Sequence, residues 1–122
     1  MQSIAIIGAS NNKDKYGNKA VRAYKQAGFK VFPVNLKEKT IEGLPCFTSI
    51  LDIKEPVETA SLYVSPEIGL NLVEAFAKKG IKQVYLNPGS ESPAIIKKLK
   101  DKKIKVLQAC SILAIGINPG AL

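Results

Sequence analysis

Apolar positions in this chain come in short clustered runs separated by stretches of helical spacing. Ser3–Ile7 is almost wholly apolar, as a strand buried on both faces of a parallel sheet would be. It runs straight into Gly8-Ala9-Ser10. Helical spacing begins near Tyr16 or Gly17, where Ala20, Val21, Tyr24 and Ala27 share a face and Gly28 closes the helix. Lys30–Val34 predicts a second strand. Pro33 inside it is awkward for a central position, because proline cannot donate to a ladder. Gly43-Leu44-Pro45 turns the chain, and Thr48–Ile53 suits one helical turn capped by Thr48 or Ser49.

The alternation continues. Thr59–Val64 predicts a third strand. Ser65-Pro66-Glu67 starts a helix, with serine as N-cap, proline in the first turn and an acid beside it. That helix ends at Lys78-Lys79, where cations suit the dipole, with Gly80 beyond. Ile81–Leu86 predicts a fourth strand, followed by an Asn87-Pro88-Gly89 turn. Ser90 or Ser92 caps a further helix, and Ile104–Leu107 predicts a fifth strand. The expected fold is therefore α/β, a Rossmann-like doubly wound parallel sheet in three αβα layers. Its expected strand order is 3-2-1-4-5. One domain over residues 1–122 is expected, with no regular element assigned to the tail 111–122.

Composition narrows the chemistry. The 122 residues include no histidine, which removes histidine-based nucleophile pairs, metal ligands and phosphohistidine. Two cysteines, Cys46 and Cys110, make neither a disulfide framework nor a zinc site. A reduced cytoplasmic setting is expected, with each thiol buried or idle. The N-terminus lacks a signal-peptide pattern, and no apolar run is long enough to span a membrane. Lysine and arginine total 18 against 10 acids, a net charge of +8. Seventeen of these are lysine; Arg22 is the single arginine. Nucleic-acid readers use more arginine than that, so no nucleic acid is expected as a partner. The lysines between Lys97 and Lys105 are expected to face water.

In a doubly wound sheet, ligands bind beyond the C-terminal strand ends. The first such loop, Gly8-Ala9-Ser10-Asn11-Asn12-Lys13, carries one glycine of the dinucleotide fingerprint and not the rest. It serves equally as a phosphate cradle or as a plain strand exit. Lys13, Lys15 and Lys19 bring positive charge to it. At the end of the second strand, where NAD enzymes place a carboxylate, the chain has Asn35 and then Lys37. That disfavours NAD and favours a nucleotide with an extra ribose phosphate: NADP or coenzyme A (CoA). Val64-Ser65-Pro66 and Leu86-Asn87-Pro88 form the third and fourth loops. Capping and turning explain them adequately.

The stretches GASNNKDKYGNKAVRAY, VFPVNLK, IEGLPCFTSILDI, YVSPEIG and VYLNPGSES, taken in order, resemble the small stand-alone CoA-binding proteins. These share a Rossmann-type fold with the N-terminal domain of the succinyl-CoA synthetase alpha subunit. The resemblance covers roughly Ser3 to Cys110. It implies that Ser10, Asn11, Asn12 and Lys13 hold the nucleotide phosphates, with Gly8, Ala9 and Tyr16 also counted among the cofactor-binding residues. It implies Asn35 and Lys37 near the 3′-phosphate end, Val64, Ser65 and Pro66 along the crevice, and Leu86, Asn87 and Pro88 near the pantetheine. CoA or an acyl-CoA is the implied ligand, bound without catalysis. The synthetase's phosphorylated histidine lies in a further domain that is not part of this sequence. Asn87 stands where many relatives have glutamine, and the tail after Cys110 is neutral and apolar. That tail could cover a sheet edge or form a homodimer contact. The alternatives are an NADP-dependent oxidoreductase, with Tyr63 or Tyr85 as proton donor, and a regulatory module that reads CoA state.

Overall fold

A computed structural model describes residues 2–122. Five parallel strands make the central sheet: β1 (Ser3–Ile7), β2 (Lys30–Val34), β5 (Thr59–Leu62), β6 (Gln83–Leu86) and β7 (Lys105–Leu107). A two-stranded antiparallel hairpin, β3 (Thr40–Ile41) and β4 (Leu44–Pro45), forms a separate small sheet that packs beside β2. Helix α1 (Tyr16–Gln26) covers one face. Helices α2 (Pro66–Lys79) and α3 (Pro93–Asp101) cover the other. The fold class is the Rossmann-like α/β sheet expected from the alternation.

The strand order is not the expected one. The sheet runs β2-β1-β5-β6-β7, so the third sheet strand in chain order pairs with the first and not beyond the second. Counting sheet strands alone, 3-2-1-4-5 becomes 2-1-3-4-5. Pro33 gives the physical reason. The Val34 carbonyl faces β1 and accepts from Gly8 N–H, whereas the Pro33 carbonyl points outward and accepts from Phe47 N–H. In a parallel strand a residue's nitrogen and carbonyl face the same side. The donor that proline lacks therefore falls on the outer edge, where no strand needs it. A strand docked outside β2 would lose that bond. Only a loop does so, through Phe47 and a single bridge to Val34.

The chain then crosses back over β1. A 3₁₀ turn at Ile50–Asp52, capped by Ser49 accepting from Leu51 N–H, sets Ile50 and Ile53 into the core on the α2 face. Val57 follows them, and β5 enters beside β1. Its residues Ala60 and Leu62 face α2, as do Ala5 and Ile7 of β1. Ile4 and Ile6 face α1, against Ala20, Val21 and Tyr24.

The tail is ordered where no element was assigned. A short helix α4 (Ser111–Ala114) and a 3₁₀ turn (Pro119–Ala121) follow β7. Ile112 is fully buried on the α1 side, with Ile115, Ile117 and Leu122 packed around it. The apolar tail therefore completes the chain's own core beside α1. It does not lie along a sheet edge. On α3, Lys98 and Lys102 pair with Glu74 of α2, and Lys97 pairs with Asp101. Lys100, Lys103 and Lys105 face water.

Helices α1 and α2 are each followed by a glycine with positive φ, Gly28 at 85° and Gly80 at 87°. After α3 the same left-handed turn is made by Lys103, with φ 61°. A side chain there is strained relative to glycine. Lys103→Gly is expected to stabilise the fold by about 0.5–1 kcal/mol, the strain relief exceeding the added chain entropy. Thermal unfolding of the two proteins checks this: the variant melts a few degrees higher.

Candidate functional site

The C-terminal ends of β1, β2, β5 and β6 converge on one crevice. Its centre is a contact between two backbones. Gly8 leaves β1 with φ 86°, and a Cβ on it would lie 2.7 Å from the Tyr63 carbonyl oxygen and 2.9 Å from a Val64 methyl. Gly17, in the first turn of α1, is tighter still. A Cβ there would lie 2.3 Å from the Gly8 carbonyl oxygen. These two positions let the start of α1 close directly onto the exit of β1.

Two cavities flank this contact. One, of about 570 Å³ and mostly apolar, lies between the ends of β1 and β2 and helix α2. Ile7, Val34, Ile50, Val64, Ile68 and Phe76 form much of its wall, with Asn35, Leu36 and Lys37 at its mouth. Leu36 and Ile68 are exposed there as large apolar side chains. The other, of about 380 Å³, runs from Lys15, Tyr16 and Gly17 past Tyr63 and Val64 to Pro88, Gly89 and Ser90. Val64 lines both, and Gly8 and Gly17 form the divide.

Helix α1 opens onto the second cavity. Its N-cap is Lys15, and no side chain caps it. Helices α2 and α3 are capped by Ser65 and Ser92. Uncapped first-turn amides and the positive end of the dipole favour an anion, and Lys15 adds charge beside them. Lys19 leans over the Tyr16 ring, 5.2 Å from its centroid.

The predicted residues divide clearly. Gly8, Tyr16, Asn35, Lys37, Val64 and Pro88 line the cavities. Ser10, Asn11, Asn12 and Lys13 form the adjoining loop, which is held by its own side chains. Asn12 N–H donates to Ser10 Oγ at 3.0 Å, and Asp14 N–H to Asn12 Oδ1 at 3.0 Å. Asn11 Nδ2 is taken up by Glu38 and by the Thr40 carbonyl, at 2.8 and 3.0 Å. Ala9 is fully buried behind the loop. Ser65 caps α2 and Pro66 follows it in the first turn, so neither side chain lines either cavity. Leu86 is core.

Asn87 turns inward and is 4% exposed. Its Nδ2 donates to Ser61 Oγ at 2.8 Å and to the Leu62 carbonyl at 2.9 Å, and its Oδ1 accepts from Ser111 N–H at 2.8 Å. Ser111 Oγ bridges Ser61 at 2.8 Å and Tyr63 at 2.9 Å, while Tyr24 donates to the Ser111 carbonyl at 2.7 Å. Asn87 thus ties the fourth loop to β5 and the tail. At the fourth loop the cavity wall is formed by Pro88, Gly89 and Ser90, and not by the Asn87 side chain. The structure also draws in Asn18 and Arg22, which the strand-end rule could not find because both sit inside α1. Asn18 is fully buried, with Nδ2 donating to the Ser10 carbonyl at 2.9 Å.

A larger hollow, about 820 Å³, lies at the opposite end of the sheet, between Tyr24, Lys30, Glu55, Thr59 and Tyr85. It is walled partly by the Lys30–Glu55 ion pair and lies where strands begin. Size does not outweigh position here, since doubly wound sheets gather ligands where strands end. Among the described residues, no group of acids and cysteines could hold a metal ion, and no helix is long and apolar enough to cross a membrane.

Residues 2–116 match the family described as CoA binding domain. The chain belongs to that family. An ADP-forming acetate–CoA ligase of Methanocaldococcus jannaschii is 29% identical to this CoA-binding domain over 117 residues, which is 96% of the chain and 17% of the ligase. The chain therefore spans about a sixth of that relative. The alpha subunit of a Pyrococcus furiosus ADP-forming acetate–CoA ligase is 31% identical over 70% of the chain and 19% of the subunit. Among solved structures, a conserved hypothetical protein of Pyrococcus furiosus superposes with a TM-score of 0.87 at 31% identity, covering 93% of this chain and 99% of that one. Chains similar to this one thus occur both at about its own length and as parts of larger ligases.

Two outcomes follow for this site. Gly17→Ala forces a Cβ into the Gly8 carbonyl and is expected to lower stability by about 2–3 kcal/mol, read as an earlier urea midpoint. The Tyr24 and Tyr63 phenols are both held above their ordinary value, chiefly by burial. The neutral phenols are favoured in the fold, so their contribution is complete below the unfolded value of about 10 and falls as pH rises past it. Urea midpoints should drop between pH about 9 and about 11, and less so in Tyr24→Phe.

Proposed function

We propose that this domain binds coenzyme A or an acyl-CoA across the C-terminal edge of its sheet and performs no reaction on it. One observation carries the reading. Two cavities meet at Val64, one beside Gly8 and the other beside a helix start left without a side-chain cap. CoA has matching parts in the same order: a nucleoside with a 3′-phosphate, a diphosphate, and a long thiol-ended arm.

The apolar cavity under Leu36 and Ile68 suits the adenine, with Lys37 at its mouth for the 3′-phosphate. The first turn of α1 and Lys15 suit the diphosphate. The groove past Tyr63 to Pro88 and Ser90 suits the pantetheine arm. The fit is supported by the backbone itself: Gly8 and Gly17 leave no Cβ between the two cavities. A non-catalytic role is supported by the groups beside the groove. The Tyr63 hydroxyl is engaged by Ser111, and Glu91 accepts from the Gly89 amide.

Thermal shifts with CoA, dephospho-CoA, NADP and NAD test the reading. CoA at 100 times its dissociation constant should add about 2.7 kcal/mol of stability, and NAD should add none. Lys37→Ala should weaken CoA and leave dephospho-CoA unchanged. A chain that CoA does not stabilise would sink the proposal.

A further inference from the structure

The loop after β1 is held from behind by side chains at its carbonyls. Asn35 Nδ2 donates to the Ala9 carbonyl at 2.8 Å. Asn18 Nδ2 donates to the Ser10 carbonyl at 2.9 Å. In a trans peptide the carbonyl of one residue and the N–H of the next point in opposite directions. Fixing the Ala9 and Ser10 carbonyls therefore fixes the Ser10 and Asn11 amides facing away from Asn35 and Asn18. Among the described residues, neither amide donates to a protein acceptor.

Three groups fix Asn18: the Ser10 carbonyl and Glu42 Oε2 accept from its Nδ2, and Arg22 donates to its Oδ1. An asparagine amide can sit either way round, and its partners decide which. Arg22 Nε donates to Asn18 Oδ1 at 2.7 Å and so clamps the amide from the side opposite the Ser10 carbonyl and Glu42 Oε2. The same guanidinium donates through Nη2 to the Lys13 carbonyl at 2.9 Å. Two rigidly spaced donors at one residue are what a guanidinium supplies and an ammonium does not. The chain's single arginine is placed where that fork is used, among 17 lysines elsewhere.

We propose, resting on the coenzyme A reading, that Arg22 is a positioning residue: through Asn18 it holds the Ser10 and Asn11 amides toward the ligand's diphosphate. It touches no ligand itself. Its effect falls on one part of the ligand and leaves the nucleoside cavity alone, since Arg22 lines neither cavity.

Two ligands separate this from a general structural role: CoA, and adenosine 3′-monophosphate, which has no diphosphate. In Arg22→Lys, which keeps the charge and loses the fork, the dissociation constant for CoA should rise about tenfold. That for adenosine 3′-monophosphate should stay within about twofold. Arg22→Gln should behave alike and serves if the lysine variant does not fold. Equal weakening of both ligands, or an unchanged CoA affinity, would overturn the proposal. If the wild-type chain binds no CoA, the coenzyme A reading fails by itself, and inorganic phosphate followed on the amide NMR resonances decides. Shifts at Ser10 and Asn11 in wild type and not in Arg22→Lys support the positioning role; equal shifts, or none in either, overturn it.

Discussion

Everything at the C-terminal edge of the sheet depends on one close approach, the first turn of α1 against the Gly8 carbonyl. A Cβ on Gly17 would strike the Gly8 carbonyl, and a Cβ on Gly8 would strike the Tyr63 carbonyl and a Val64 methyl. The contact brings an uncapped helix start to the exit of a buried strand, and it does so without a side chain standing between. Move α1 outward by the width of a methyl group and the two cavities lose their common border. Tyr16 and Lys15 would leave the groove, and Asn18 would no longer reach the Ser10 carbonyl.

Around that contact the polar groups divide into two sets with different tasks. Asn18, Arg22, Asn35 and Glu42 secure the first loop from behind. Ser61, Tyr63, Asn87 and Ser111 secure the fourth loop and bind it to the tail. Both sets are buried or half-buried, and no buried side-chain polar atom among the described residues lacks a partner. Such networks are costly when partly satisfied and rigid when complete. The crevice is therefore shaped by groups that do not enter it.

Much of this was legible in the sequence. Short apolar runs marked the strands, serine-proline pairs marked the starts of α2 and α3, and Asn35 and Lys37 were placed at the end of the second strand, where they line the mouth of a cavity. What was not legible depended on contacts between distant residues. Pro33 was flagged as unsuited to a central strand, yet the order 3-2-1-4-5 made it central; the ladder's handling of one missing donor resolved the conflict. Asn87 read as a turn residue beside a ligand, because nothing local shows that its amide meets Ser61 and Ser111. The tail read as unassigned because its apolar residues have no period; their partner is the face of α1, nearly a hundred residues earlier.

The outer margin of β2 has one more consequence. A strand margin with free donors and acceptors invites another chain to add on, and such addition can continue from molecule to molecule. Here one margin is closed by the Phe47 loop over a proline. The opposite margin, β7, is only three residues long and begins with Lys105, beside a run of further lysines. Both ends of the sheet are poor templates, one by occupation and one by brevity and charge. The protein can thus keep an open crevice at its top without exposing a sheet that grows sideways, which bears on how concentrated it can become before it aggregates.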